Sequence, residues 1–208
     1  MDIPFLNATL PELIQGVGYL GVFLIVFIES GVPIGMVLPL PGDTLLFSAG
    51  LLAASNAFDL VPLIITIVVA AILGDSAGYW FGSHYGPKLF TKEDALFMNK
   101  RHLDRAERFY TKYGGLALIL ARFLPLLRTL VPIAAGMGRM SYSAFLRFNV
   151  IGAFLWGISV TLLGYYLGTL IPDVDKYLLP ILGVIVLISV LVSAREIWNA
   201  KKELNARQ

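Results

Sequence analysis

The chain has 208 residues, 57% of them hydrophobic and 14% charged, and a mean hydropathy of +0.77. A water-soluble globule of this size has no interior large enough for so much apolar side chain, so the composition places the chain in a bilayer. The absence of Cys excludes a disulfide scaffold, a thiolate nucleophile and a Cys-ligated metal site. The net charge of +2 is small, but Lys and Arg are absent from residues 1–87, with eleven between 88 and 147 and five after that. A cleavable signal peptide is not expected, because a secretory n-region is positively charged and the first fifteen residues carry no Lys or Arg. Nucleic acid is not an expected partner either, since the basic residues interleave with Glu93, Asp94, Asp104 and Glu107.

In chain order, residues 13–30 form an apolar helix that closes at Glu29. Residues 31–58 hold Pro33, Gly35, Pro39, Pro41, Gly42, Asp43 and Gly50. Proline inside a helix removes a hydrogen bond and clashes with the preceding turn, so this segment is expected to be a re-entrant hairpin of half-helices. A spanning helix follows at 60–83, whose residues 60–82 read LVPLIITIVVAAILGDSAGYWFG, apolar except for Asp75 near the end. Over 91–113, Leu96, Leu103, Ala106, Tyr110 and Tyr113 recur at helical spacing among charges, and Thr91 with Asp94 resembles a capping box. This predicts an amphipathic helix on the cytoplasmic membrane face. Residues 114–140, with Gly114, Gly115, Pro125, Pro132, Gly136 and Gly138, predict a second re-entrant hairpin carrying Arg122 and Arg128. Helices over 145–171 and 177–198 complete the chain, their stretches Phe148–Ile171 and Tyr177–Ala194 being uncharged. The expected fold is a single all-α polytopic transmembrane domain over 1–208, with about four full spans and two hairpins.

A shift of 86 residues superimposes Leu38-Pro39-Leu40 on Leu124-Pro125-Leu126, Ala49-Gly50 on Ala135-Gly136, and Gly78-Tyr79 with Gly82 on Gly164-Tyr165 with Gly168. Three separated blocks at one offset read as an internal repeat of hairpin plus helix. The positive-inside rule puts 84–112, the turn from Arg139 to Arg147 and the tail from Arg195 in the cytoplasm, which makes the two halves opposite in topology and both termini cytoplasmic. Inverted repeats with broken helices meeting near the midplane are an architecture of secondary transporters.

Charges inside apolar sequence are expensive and mark function by default. Here they are Glu29, Asp43, Asp75, Arg122 and Arg128. Arg122 and Arg128 flank Pro125, whose break allows both to face one cavity, and their forked donors match phosphate oxygens bidentately. Their joint reading is a phosphate or other anion site, with Glu29 and Asp43 as counter-charges or a protonatable switch. The competing reading is two structural ion pairs tying hairpin to hairpin, with Asp43 a plain helix cap. Asp75 is expected to hydrogen-bond locally and stands below the other four. Pro39, Pro41, Gly42, Gly50, Pro125, Pro132 and Gly136 are read as hairpin-shaping. His84 and His102 both fall in the connector, and HExxH, GxSxG and Walker-type loops are absent, so no enzyme, metal site or cofactor is expected. Trp80, Trp156, Trp198, Tyr165 and Tyr166 read as interfacial anchors and packing residues.

The acidic residue before a Pro/Gly run ending in PGD (Glu29 through Asp43), SAG at 48–50, GDSAGYWFG at 74–82, YGG at 113–115, ARFLPLLR at 121–128, AAGMGRM at 134–140 and FNVIGAFLW at 148–156 together resemble the DedA family. These bacterial proteins are relatives of the VTT-domain lipid scramblases, and the resemblance covers about residues 16–170. It implies a bacterial inner-membrane transporter with two facing re-entrant hairpins that flips polyprenyl phosphate carriers, undecaprenyl phosphate among them, in connection with the proton motive force. It also carries the family's required acidic pair and arginine pair onto Glu29, Asp43, Arg122 and Arg128. The expected partners are membrane lipids and protons, with homo-oligomerisation open. A proton-coupled small-cation antiporter, a phospholipid scramblase and a non-transporting assembly factor stand as alternatives.

Overall fold

A computed structural model describes residues 10–31, 42–89, 108–124 and 127–170. All the regular structure among these residues is helical: α1 (Leu10–Gly31), α2 (Gly42–Ala54), α3 (Leu60–Leu89), α4 (Leu116–Ala121), α5 (Leu127–Met137) and α6 (Tyr142–Leu170). Residues 108–113 are also helical. The expected helix over 177–198 and most of that over 91–113 lie outside the described residues, as do Pro39, Pro41 and Pro125.

α3 and α6 have 30 and 29 residues. At roughly 1.5 Å per residue each exceeds the roughly 30 Å of a hydrocarbon core. Among the described residues, Leu60–Tyr85 and Tyr142–Leu170 are the two stretches long and apolar enough to cross a membrane. Val61, Ile65, Val69 and Leu73 recur every fourth residue and are all exposed, so α3 carries a continuous apolar stripe on its outer side. On α6 Ile151, Leu155, Leu163, Leu167 and Leu170 are exposed in the same way. A soluble monomer does not present such stripes to water; lipid is the solvent that suits them.

The short helices pack on the long helix of the other half of the chain. α2 lies on α6, and α5 lies on α3, while α1 also packs on α3. Glycine makes these approaches close. A Cβ added at Gly50 would strike the Thr161 carbonyl, and one at Gly164 the Phe47 carbonyl. In the other half, a Cβ at Gly136 would strike the Tyr79 carbonyl, and one at Gly82 the Ile133 carbonyl. Phe47 and Gly50 on α2 stand 86 positions before Ile133 and Gly136 on α5, so equivalent faces of the two short helices make equivalent contacts. Their footprints on the long helices differ by four residues, one helical turn, so α5 sits one turn along α3 from where strict repetition would place it. The offset visible in the sequence is thus a packing relation as well. Both short helices also end alike. Asn56 (φ 62°) and Arg139 (φ 54°) adopt the left-handed conformation. The amide of Ala57 donates to the Leu52 carbonyl and that of Asn56 to Ala53; likewise Met140 donates to Ala135 and Arg139 to Gly136. Each pair is a Schellman motif that satisfies the last free carbonyls of its helix.

Two apolar clusters result. Val26, Leu46, Leu63, Ile67 and Trp156 anchor one between α1, α2, α3 and α6. Leu118, Leu130, Ile133 and Phe145 anchor the other, where α4 and α5 meet the start of α6.

Several expectations need correction. α1 and α3 run from Leu10 to Gly31 and from Leu60 to Leu89, beyond the expected 13–30 and 60–83. α6 begins at Tyr142, three residues before the expected start. Pro132 does not break the chain but lies inside α5. As its sixth residue it lacks only the N–H that would have bonded the Arg128 carbonyl, a loss tolerable where neighbouring helices cover the site. Residues 116–121 form a helix of under two turns that ends in the turn at 122–124, and the next helix starts at Leu127.

Candidate functional site

The five charged residues of the apolar segments converge, as two groups flanking one tryptophan. In the first, Arg122 caps the C-terminus of α4 and forms an ion pair with Asp75 on α3. The same Nη2 donates to Asn149 Oδ1 on α6 at 2.5 Å, and Asn149 Nδ2 donates to the Ile72 carbonyl at 3.1 Å. Arg122, Asp75 and Asn149 are all buried. Gly152, one turn along α6 from Asn149, leaves room for the arginine: a Cβ there would lie 3.0 Å from both Arg122 Cδ and Nε.

In the second group, Arg128 is the second residue of α5, and its two terminal nitrogens are divided between carboxylates. Nη2 pairs with Glu29 on α1, and Nη1 donates to Asp43 Oδ1 at 3.0 Å. Asp43 is the second residue of α2 and lies in its first turn, where the positive end of the helix favours a carboxylate. The beginnings of α2 and α5 are therefore joined directly by their own side chains. Trp156 on α6 donates its Nε1–H to the same Asp43 oxygen at 2.8 Å.

Trp156 also links the groups. The Arg122 and Arg128 guanidinium carbons lie 5.9 and 5.8 Å from its ring centroid, within cation–π range. The groups differ in access, because the Glu29, Asp75 and Arg122 side chains are at most 6% exposed and Arg128 is 13% exposed, whereas Asp43 is 49% exposed. The network is most open at Asp43 and Arg128. Two guanidiniums against three carboxylates leave one net negative charge when all are ionised.

Asp75 does not hydrogen-bond locally as expected; it is the ion-pair partner of Arg122. Trp156, read as an interfacial anchor or packing residue, packs in the apolar core and is also hydrogen-bonded within the network. Asn149 carries no charge to mark it in the sequence and stands there only within FNVIGAFLW. The signal for both lay in the spacing: Asn149, Gly152, Ala153, Trp156 and Gly157 follow the i, i+3, i+4, i+7, i+8 rule and form the buried face of α6. Of the residues read as hairpin-shaping, Gly42 opens α2, while Gly50 and Gly136 are helix-contact glycines. The network is not duplicated by the repeat, since position 161, equivalent to Asp75, is a buried Thr.

Residues 40–166 match the VTT domain. Protein DedA of Escherichia coli is 41% identical over 203 residues, covering 95% of this chain and 91% of that protein. The chain belongs to the DedA family of membrane proteins. An uncharacterized membrane protein of Mycobacterium tuberculosis is 42% identical over 187 residues, covering 88% of this chain and 81% of the relative. One from Synechocystis is 36% identical over 165 residues, covering 78% and 73%. No solved structure matches the chain. Within this DedA-family chain the VTT match takes in Asp43, Asp75, Arg122, Arg128, Asn149 and Trp156, whereas Glu29 precedes it on α1.

Proposed function

We propose that the chain carries the phosphate head group of an anionic lipid, polyprenyl phosphate in the first instance, across a bacterial inner membrane. The observation that carries this reading is the partly open Arg128–Asp43 contact at the point where α2 and α5 begin, inside an otherwise apolar helical body. A phosphate needs N–H donors to leave water; a forked guanidinium supplies them, and the positive ends of the two helices favour an anion beside it, while the lipid tail stays in the bilayer. Arg128 is the contact in this proposal. Arg122, held by Asp75 and Asn149, frames the site behind Trp156.

The test is binding and transport by purified protein in proteoliposomes, with polyprenyl monophosphate, polyprenyl pyrophosphate and neutral polyprenol compared. The neutral lipid is expected to be left behind. Arg128→Lys should lower monophosphate transport about tenfold or more at normal abundance, since an ammonium keeps the charge but loses the fork. Wild-type rates with lysine would overturn the clamp geometry. The excess of one carboxylate supports protons as the coupling ion, because one proton neutralises the network; transport is expected to follow an imposed pH gradient, and indifference to it marks a passive scramblase. The same excess favours a second reading, a proton-coupled cation antiporter, which the assay would reveal as cation flux without lipid preference.

We propose further that the fold has four spans and two re-entrant hairpins, with both termini in the cytoplasm, on the strength of the lysine and arginine asymmetry. The chain has no Cys, so Lys100→Cys and Asp173→Cys can be labelled separately in intact cells with an impermeant thiol reagent. Label is expected at 173 and absent at 100; the reverse pattern would invert the topology.

A further inference from the structure

Asp43 Oδ1 receives two donors at once, Arg128 Nη1 at 3.0 Å and Trp156 Nε1 at 2.8 Å. Each donor is fixed from elsewhere. Arg128 is held through its other nitrogen by the buried Glu29. Trp156 is 4% exposed, packs in the apolar core and has a guanidinium near its ring from each arginine. The acceptor is held less: nearly half of the Asp43 side chain is exposed. Two rigid N–H groups thus aim at one point, and the oxygen at that point belongs to the only half-exposed member of the network among the described residues. A phosphate oxygen is the same kind of acceptor as a carboxylate oxygen, anionic and matched to charge-assisted N–H bonds of this length.

We propose that Arg128 Nη1–H and Trp156 Nε1–H form the seat for one oxygen of a phosphate monoester, and that Asp43 is the resident carboxylate the phosphate displaces. The inference rests on the phosphate reading above and adds to it a second donor and an internal competitor. Charge supports the exchange. With Asp43 in place, an entering phosphate meets a carboxylate that already fills its donors, in a network with a net negative charge. With Asp43 turned outward, Arg122 offsets Asp75 and Arg128 offsets Glu29, and two inward N–H groups are left facing a neutral site. The competitor also excludes weaker acceptors, because a neutral hydroxyl or ester oxygen cannot displace a carboxylate from two donors.

Trp156 can report on its own seat. In a Trp80→Phe/Trp198→Phe background it is the sole tryptophan of the three in the chain, and its emission is followed in detergent as inorganic phosphate, dodecyl phosphate or dodecanol is added. Emission should change saturably with the phosphates and not with the alcohol. Tighter binding of dodecyl phosphate assigns the seat to a lipid head group, and equal binding assigns it to free phosphate; both support the seat. Asp43→Ala should tighten phosphate binding about tenfold, the scale of one charge-assisted hydrogen bond. Asp43→Asn should tighten it less, since the amide still fills the seat, and acetate should compete with phosphate only in Asp43→Ala. Trp156→Phe, assayed by equilibrium binding of labelled phosphate, should weaken binding about fivefold. Asp43→Ala or Asp43→Asn protein that melts like the parent yet binds phosphate no tighter would overturn the competitor. Unchanged affinity in Trp156→Phe would overturn the second donor. Failure of every form to bind either phosphate would remove the phosphate reading itself.

Discussion

Asp75→Leu is expected to destabilise the folded protein by about 3–5 kcal/mol, and adding Arg122→Met should restore most of that loss. The single change leaves a guanidinium buried among α3, α4 and α6 with Asn149 Oδ1 as its remaining side-chain acceptor. That acceptor is neutral, and the buried cation keeps its full desolvation cost. Removing both charges replaces the pair with apolar contact of similar volume, which buried pairs generally tolerate. Thermal melts of the two single variants and the double variant in one detergent close the cycle. A small effect of Asp75→Leu alone would mean that water reaches Arg122 and that the pair is not sealed. In transport assays the double variant separates framing from chemistry: if Arg128 is the contact, the double variant should regain activity along with its fold.

Gly50→Ala and Gly136→Ala should each cost about 3 kcal/mol, the upper part of the range for overpacked cores. The added Cβ meets backbone in both cases, the Thr161 carbonyl for Gly50 and the Tyr79 carbonyl for Gly136, and backbone within a helix cannot rotate aside as a side chain can. The whole short helix must move away from its long partner. Because Asp43 and Arg128 are the second residues of α2 and α5, the displacement would also separate the two ends that meet at Trp156. Gly21→Ala is the control: nothing lies within 4 Å of its added Cβ, and alanine is the better helix former. Equal melting temperatures for Gly21→Ala and Gly50→Ala would show that α2 does not bring Gly50 against the Thr161 carbonyl of α6.

The placement of α1, α3 and α6 near where the hydropathy put them follows from a contiguous apolar run being a local property that the bilayer reads directly. The 86-residue offset was legible for a related reason, since Gly50 and Gly136 answer the same demand for close helix contact and so recur at the same place. The five intramembrane charges were legible as exceptional because each is costly alone in apolar surroundings. Their partners were not. Arg122 bonds to Asp75 across 47 positions, Arg128 to Asp43 across 85, and Trp156 to Asp43 across 113. No local pattern encodes such pairings. Asp75 reads locally as a helix-end acid, and Trp156 as an anchor or packing residue; the packing of α2, α3 and α4 on α6 brings their partners within bonding distance. Pro132 looked like a helix breaker because its missing N–H is a sequence fact, whereas its tolerance inside α5 depends on the helices that cover it. The sequence alone therefore determined which segments seek lipid and which residues are too polar to be there by accident. Only the tertiary structure decided which charges neutralise one another, because an ion pair is a matter of distance and shielding, and both are set by helices far apart in the chain.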